Sequence, residues 1–65
     1  MDAEPLRYMA DQIARNFAAQ GEAAAVAATA EHIRQFWDPR MKAAILADDA
    51  AAMSPVVAQV VERLR

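Results

Sequence analysis

Two residue–proline pairs and a single glycine divide this chain into short helical segments. The residue before a proline is pushed out of the helical region, so Asp38 cannot comfortably continue a helix into Pro39. An aspartate or serine followed by proline is, however, a preferred way to begin a helix. Ser54-Pro55 repeats this arrangement, and Gly21 is the only glycine. The pattern predicts an all-α fold, a small bundle of three to four short helices.

The first helix is predicted from Pro5 to Gln20. Asp2 and Glu4 lie near the positive end of its dipole, and Pro5 occupies the first turn, where a missing N–H costs nothing. Gly21 follows directly, and glycine is the usual residue where a helix ends in a left-handed conformation. The face expected to be buried consists of Leu6, Met9, Ala10, Ile13, Phe17 and Gln20.

The second helix is predicted from Glu22 to Trp37, packed antiparallel on the first because the connection at Gly21 is short. Two alanines, which let another backbone approach closely, join its larger apolar residues into a stripe. That stripe comprises Val26, Ala27, Ala30, Ile33, Phe36 and Trp37.

Two further helices are predicted after the proline pairs. The third runs from Pro39 to about Asp48, with Met41, Ala44 and Ile45 inward and Leu46 on the flank. The segment from Asp49 to Met53 is left open as an alanine-rich connection. The last helix follows Ser54-Pro55 and carries a stripe of Val57, Val60, Val61 and Leu64.

The composition predicts one helical domain, residues 1–65, that gains stability from a partner or from self-association. The chain is 57% hydrophobic, but 18 of its 65 residues are alanine, which buries little surface. The absence of cysteine excludes disulfides, thiolate zinc sites, cysteine-ligated iron–sulfur clusters and a cysteine nucleophile. A net charge of -2 with interspersed signs disfavours nucleic-acid binding. No apolar run approaches the roughly 18 residues of a membrane span, so we expect a cytoplasmic protein without membrane contact.

The residues able to carry chemistry are few and isolated. His32 is the only histidine, and the Asp48-Asp49 pair lacks the ligand count that calcium or magnesium needs. Ser54 is explained by capping, and Thr29 lies among alanines in mid-helix. There is no glycine-rich loop to hold a phosphate. We therefore expect no catalytic, cofactor-binding or metal-binding residue in this chain.

The aromatic pair Phe36-Trp37, beside Asp38, Arg40 and Met41, is the strongest candidate for a partner contact. Tryptophan, arginine and methionine are enriched at the buried centres of protein–protein interfaces. The alternative is a helical corner in which Trp37 fills the core of a protein with few large residues. Adjacent residues on a helix point about 100° apart, so one aromatic can face the core while the other faces a partner. His32 and Arg34, one turn earlier, complete the predicted interface.

Two stretches of the chain resemble a known family. The first is Arg7-Tyr8-Met9-Ala10-Asp11-Gln12-Ile13-Ala14, followed by Phe17, and the second is His32-Ile33-Arg34-Gln35-Phe36-Trp37-Asp38-Pro39-Arg40-Met41. Together with residues 43–47 and the closing helix from Ser54, they resemble the delta subunit of soluble NAD-dependent, molybdenum-containing formate dehydrogenase. The resemblance covers nearly the whole chain.

This resemblance implies a non-catalytic accessory subunit of an oxidoreductase complex. The alpha subunit of such complexes carries the bis-molybdopterin guanine dinucleotide cofactor and iron–sulfur clusters. The beta and gamma subunits pass electrons through further clusters and FMN to NAD. The delta subunit would dock on alpha and support assembly, stability, or insertion and retention of the cofactor.

Two mechanisms are open for that role. In one, the corner formed by Phe36, Trp37, Arg40 and Met41 is permanently buried against alpha. In the other, Arg34 and Arg40 pair with acidic groups on alpha or with cofactor phosphates during maturation. A rival from a different class is a free-standing homodimeric adaptor or regulator with the valine stripe of the last helix as its seam.

Overall fold

The computed structural model describes residues 2–65, and these form four α-helices and two short 3₁₀ turns. The helices are α1 (Ala3–Asn16), α2 (Glu22–Phe36), α3 (Pro39–Ala47) and α4 (Pro55–Leu64). The 3₁₀ turns span Ala18–Gln20 and Ala50–Ala52. No strand occurs in this part of the chain, so the prediction of a small all-α bundle is confirmed.

Side-chain caps fix where three of the helices begin. Asp38 Oδ1 accepts the N–H of Met41 at 3.0 Å, and Ser54 Oγ accepts the N–H of Val57 at 3.2 Å. Each cap precedes a proline, as the sequence predicts. Asp2 accepts the N–H of Glu4 at 3.2 Å, which starts α1 at Ala3, two residues earlier than predicted.

The connection between α1 and α2 differs from the prediction. α1 ends at Asn16 because the N–H of Phe17 bonds to the carbonyl of Ala14, and the chain then tightens into the 3₁₀ turn Ala18–Gln20. Gly21 has φ 98° and ψ 157°, a positive φ with an extended ψ rather than a left-handed helical one. It precedes α2 as the N-cap residue instead of closing α1, and only glycine adopts this conformation readily.

The core is built around α2, which packs against α1 on one side and α4 on the other. Ala10 of α1 and Ala30 of α2 are both fully buried and belong to the same core cluster. Because these side chains are small, the backbones of neighbouring helices can approach closely. The cluster comprises Leu6, Ala10, Val26, Ala30, Ile33, Trp37, Ile45, Val57, Val60 and Val61.

Individual residues on two helices depart from their predicted orientation. On α1, Met9 is 40% exposed and Gln20 is exposed, whereas Ala14 is buried. The buried side of α1 therefore follows the ridge of residues 6, 10 and 14, spaced by four, and Met9 lies off it. On α2, Phe36 projects to solvent although it was predicted to belong to the apolar stripe.

The valine stripe of α4 lies inside the molecule. Val57, Val60 and Val61 are each no more than 3% exposed and contribute to the core. This stripe was expected to be the seam of a homodimer in the adaptor hypothesis, but it is already covered by the other helices of the same chain. It offers no seam to a second copy.

Candidate protein–protein interface

The corner between α2 and α3 is shaped by two consecutive extended residues. Trp37 has φ -81° and ψ 139°, and Asp38 has φ -74° and ψ 167°. The proline at position 39 excludes Asp38 from the helical region, so α2 must stop before it. The N–H of Trp37 still bonds to the carbonyl of Ile33 at 3.0 Å, which holds the end of α2 in place. The chain changes direction here within two residues.

The corner points its two aromatic residues in opposite senses. Trp37 is 6% exposed and lies in the core, whereas Phe36 is 70% exposed. Met41 is partly buried and packs against the same core as Trp37. Trp37 and Met41 thus fill the inside of the corner, which leaves Phe36 as its outward apolar side chain.

Phe36 is steadied by a neighbouring ring. The His32 ring lies one turn earlier on α2, with the two ring centroids 4.7 Å apart and their planes tilted by 38°. The contact brings the two rings together on one flank of α2. His32 is only half-buried, so both rings contribute to the outer surface. Phenylalanine is among the aromatic residues enriched at protein–protein interfaces, so this pair is a candidate contact.

The predicted basic residues lie away from this aromatic pair. Arg34 and Phe36 are two positions apart on a helix, about 200° around its axis, so they occupy opposite flanks of α2. Arg34 donates from Nη2 to the carbonyl of Arg63 on α4 at 2.7 Å, and its Nη1 lies 3.4 Å from Glu31 Oε2. Arg40 is exposed on α3 and makes no ion pair with any residue of the described range 2–65.

The seven predicted interface residues therefore fall into separate groups. His32 and Phe36 form an exposed aromatic pair, Trp37 and Met41 belong to the interior, and Asp38 is exposed but serves as a helix cap. Arg34 and Arg40 present positive charge elsewhere. Lys42 and Arg63 were not among the predicted residues. They lie near Arg34 because α3 and α4 pack against the C-terminal end of α2, and no motif in the sequence predicts this packing.

Residues 2–65 contain no group of three or more histidine, aspartate or glutamate side chains placed to hold a metal ion. The Thr29 hydroxyl is buried, but it donates to the carbonyl of Ala25 at 2.6 Å and is thereby satisfied. A surface cleft of about 230 Å³ between α1 and α2 contains Asp11, whose carboxylate already binds Arg15 and Ser54. No helix of the described range is both long and apolar enough to cross a membrane.

The fold and this surface define a class of protein: a small all-α domain with a filled core, a structured aromatic protrusion and no assembled chemical centre among residues 2–65. The family model described as the NADH-dependent formate dehydrogenase delta subunit FdsD matches residues 6–61. The chain belongs to this family of delta subunits, as its resemblance predicted. No match was found among curated proteins, and none among solved structures.

Proposed function

We propose that this chain is a non-catalytic delta subunit that docks on the molybdenum-containing alpha subunit of an NAD-dependent formate dehydrogenase, beside the beta and gamma subunits. The docking proposal is supported by the contrast between Phe36, which is 70% exposed, and the adjacent Trp37, which is 6% exposed. Phe36 cannot enter the core, because the corner directs it outward. Its apolar ring is removed from water only when a partner covers it, and this burial favours binding. The aromatic pair His32 and Phe36 is therefore the proposed centre of the contact.

The redox groups of the complex belong to the other subunits in this proposal. Bis-molybdopterin guanine dinucleotide, iron–sulfur clusters and FMN are the groups expected there. The donor set of this chain does not fit iron–sulfur clusters, because its sequence contains no cysteine. It also lacks the glycine-rich loop that would cradle dinucleotide phosphates, since Gly21 is its only glycine. The delta subunit would act by supporting assembly, stability, or cofactor insertion and retention.

Of the two mechanisms, a permanent structural contact is favoured over one through cofactor phosphates. The Arg34 guanidinium donates to the carbonyl of Arg63 at 2.7 Å and lies 3.4 Å from Glu31, so part of its hydrogen-bonding capacity is used within the chain. Arg40 makes no ion pair within residues 2–65, but it is exposed on a different helix from Arg34. The aromatic pair offers apolar area for a lasting contact, whereas exposed charges contribute more to the rate of association.

The proposal is tested by capturing the tagged chain from cells of its own source. Co-purifying chains are identified by mass, molybdenum and iron are quantified, and formate-dependent NAD reduction is assayed. Recovery of large molybdenum- and iron-containing subunits with that activity supports the proposal. Recovery of the small chain alone, as a folded oligomer, overturns it.

A further inference from the structure

The charges of this chain are distributed unevenly. Residues 31–42 and 62–65 hold five basic and three acidic side chains, a net charge of +2. The remainder holds two basic and six acidic side chains, a net charge of -4, which together give the overall -2. The basic residues of the first set are Arg34, Arg40, Lys42, Arg63 and Arg65. Arg40 lies two positions before Lys42 on α3, about 200° around the helix axis, so the name cationic face is kept for Arg34, Lys42, Arg63 and Arg65.

Hydrogen bonds hold the residues of the cationic face close together across three helices. Arg34 of α2 donates to the carbonyl of Arg63 on α4 at 2.7 Å. Lys42 of α3 donates from Nζ to the carbonyl of Arg34 at 3.0 Å. Arg65, just beyond α4, donates to the carbonyl of Leu46 on α3 at 3.2 Å. The C-terminal ends of α2 and α4 meet here, and their negative dipole ends favour the gathering of cations.

The positive charge of this face is only weakly neutralised within the chain. Lys42 and Arg63 make no ion pair with any residue between 2 and 65. The pairs Arg34–Glu31 and Arg65–Glu62 have N···O distances of 3.4 and 3.6 Å and are largely exposed, so solvent screens them. Bonds to backbone carbonyls orient the cations without cancelling their charge.

We propose that the cationic face is a second binding surface, which receives an acidic surface of a partner subunit of the enzyme. This inference rests on the proposed function and adds to it, because Arg34 and Phe36 lie on opposite flanks of α2. The charges raise the rate of association, restrict the choice of partner and make the complex sensitive to salt, while Phe36 adds apolar contact area. A partner contacting both surfaces must cover the end of the bundle where α2 turns into α3.

A protein partner of opposite charge fits this face better than a second copy or a nucleic acid. A two-fold symmetric dimer through the face would place cations against cations. Nucleic-acid binding is opposed by the overall charge of -2 and by the acidic residues Glu31, Asp38 and Glu62 interleaved with the cations.

The test compares tagged variants expressed in cells of the chain's own source. Arg63→Glu and the double variant Arg63→Glu/Lys42→Glu reverse charge on the face, and Arg63→Gln removes one charge only. Arg15→Glu is the matched control for Arg63→Glu, since Arg15 is exposed on α1 outside the face and each reversal lowers the net charge by two. The double variant lowers the net charge by four. Circular dichroism of each purified variant verifies that it is helical. Captured enzyme subunits are quantified by mass after washes at about 50 mM and about 300 mM salt.

The inference predicts that the double variant captures at least about fivefold less enzyme than the wild type, and that Arg15→Glu stays within about twofold. Higher salt should release enzyme from the wild type. Equal capture by wild type and double variant overturns the cationic face but leaves the proposed function standing. Capture of no enzyme subunit by the wild type overturns both. Nucleic acid, or a second copy, that is retained by the wild type and lost in the double variant also overturns the inference.

Discussion

Arg7 of α1 donates a hydrogen bond from Nη1 to Oδ2 of Asp48, which lies directly after α3. Each of the other three ion pairs among residues 2–65 joins two residues that are only three or four positions apart in the sequence. This pair spans 41 positions and is partly buried, so it fastens α1 to the end of α3. Asp48 is thus more than the helix-end charge that the sequence indicates.

This pair makes stability depend on pH. The hydrogen bond from Arg7 lowers the pKa of Asp48 below its ordinary value of 3.8, and the same bond raises the pKa of Arg7. A carboxyl group with a lowered pKa stabilises the fold above its ordinary pKa and loses this contribution as the pH falls through the lowered one. Asp48→Asn should therefore lower the thermal midpoint at pH 7 by a few degrees, with the deficit vanishing as the pH falls well below about 4.

Thermal melts of wild type and Asp48→Asn across this pH range check that prediction. Arg7→Gln and the double variant complete a double-mutant cycle, in which the double variant should be little worse than either single one. A deficit for Asp48→Asn that is as large at pH 2.5 as at pH 7 would show that the ion pair is not its cause.

Trp37 should dominate stability, whereas Phe36 should not affect it. Trp37→Ala removes a large core side chain and should cost about 3–5 kcal/mol of the free energy of unfolding. A chain of this length has about 3–10 kcal/mol in total, so the variant should lose about a third or more of its stability. Phe36→Ala, at an exposed position, should change the free energy by less than about 0.5 kcal/mol. Urea unfolding followed by far-ultraviolet circular dichroism measures both, and equal losses would contradict the inward and outward orientations.

Close packing at Ala30 is tested by enlarging it. Ala30 is fully buried, so Ala30→Leu should overpack the core and cost about 1–3 kcal/mol. Ala24→Leu makes the same change at an exposed position on the same helix and should stay within about 0.5 kcal/mol. Urea midpoints of the two variants provide the comparison. Equal stability of Ala30→Leu and Ala24→Leu would refute a tight contact of α2 at Ala30.

Substitution of Gly21 should destabilise the fold through the backbone conformation alone. A Cβ atom at this position would meet no atom within 4 Å, so Gly21→Ala should cost about 1–3 kcal/mol through its φ of 98° and not through a clash. A synthetic chain with D-alanine at position 21 is the control, because the mirror-image residue accepts a positive φ. Thermal melts should show the L-alanine variant well below the D-alanine one, and identical melts would contradict this explanation.

Local chemistry made much of this fold predictable. The starts of α3 and α4 follow from Asp38-Pro39 and Ser54-Pro55, because each cap and proline act within one turn. The spacing of apolar residues did not decide the orientation of Met9, because both the positions spaced by three and those spaced by four from Leu6 carry apolar residues, and packing buries the latter. The Arg7–Asp48 pair was beyond prediction because 41 positions separate its members.

The candidate site was predictable only where it depends on neighbouring residues in the sequence. Adjacency on a helix allowed one of Phe36 and Trp37 to face the core and the other a partner, and the structure shows that Trp37 is the buried one. The grouping of Arg34 with Lys42 and Arg63 arises from the packing of three helices, which no short motif encodes. The sequence thus singled out the exposed Phe36 among the candidate interface residues but not the grouping of the basic residues.

The central claim is that Phe36 anchors this chain to the alpha subunit of formate dehydrogenase. The direct measurement is the affinity of wild type, Phe36→Ala and Tyr8→Ala for that subunit. Tyr8 is the matched control, since it is an aromatic residue on α1 that is 67% exposed. Phe36→Ala should weaken binding by about 2 kcal/mol or more, roughly 30-fold, while Tyr8→Ala binds like wild type. Wild-type affinity of Phe36→Ala, with both variants folded, would contradict the claim.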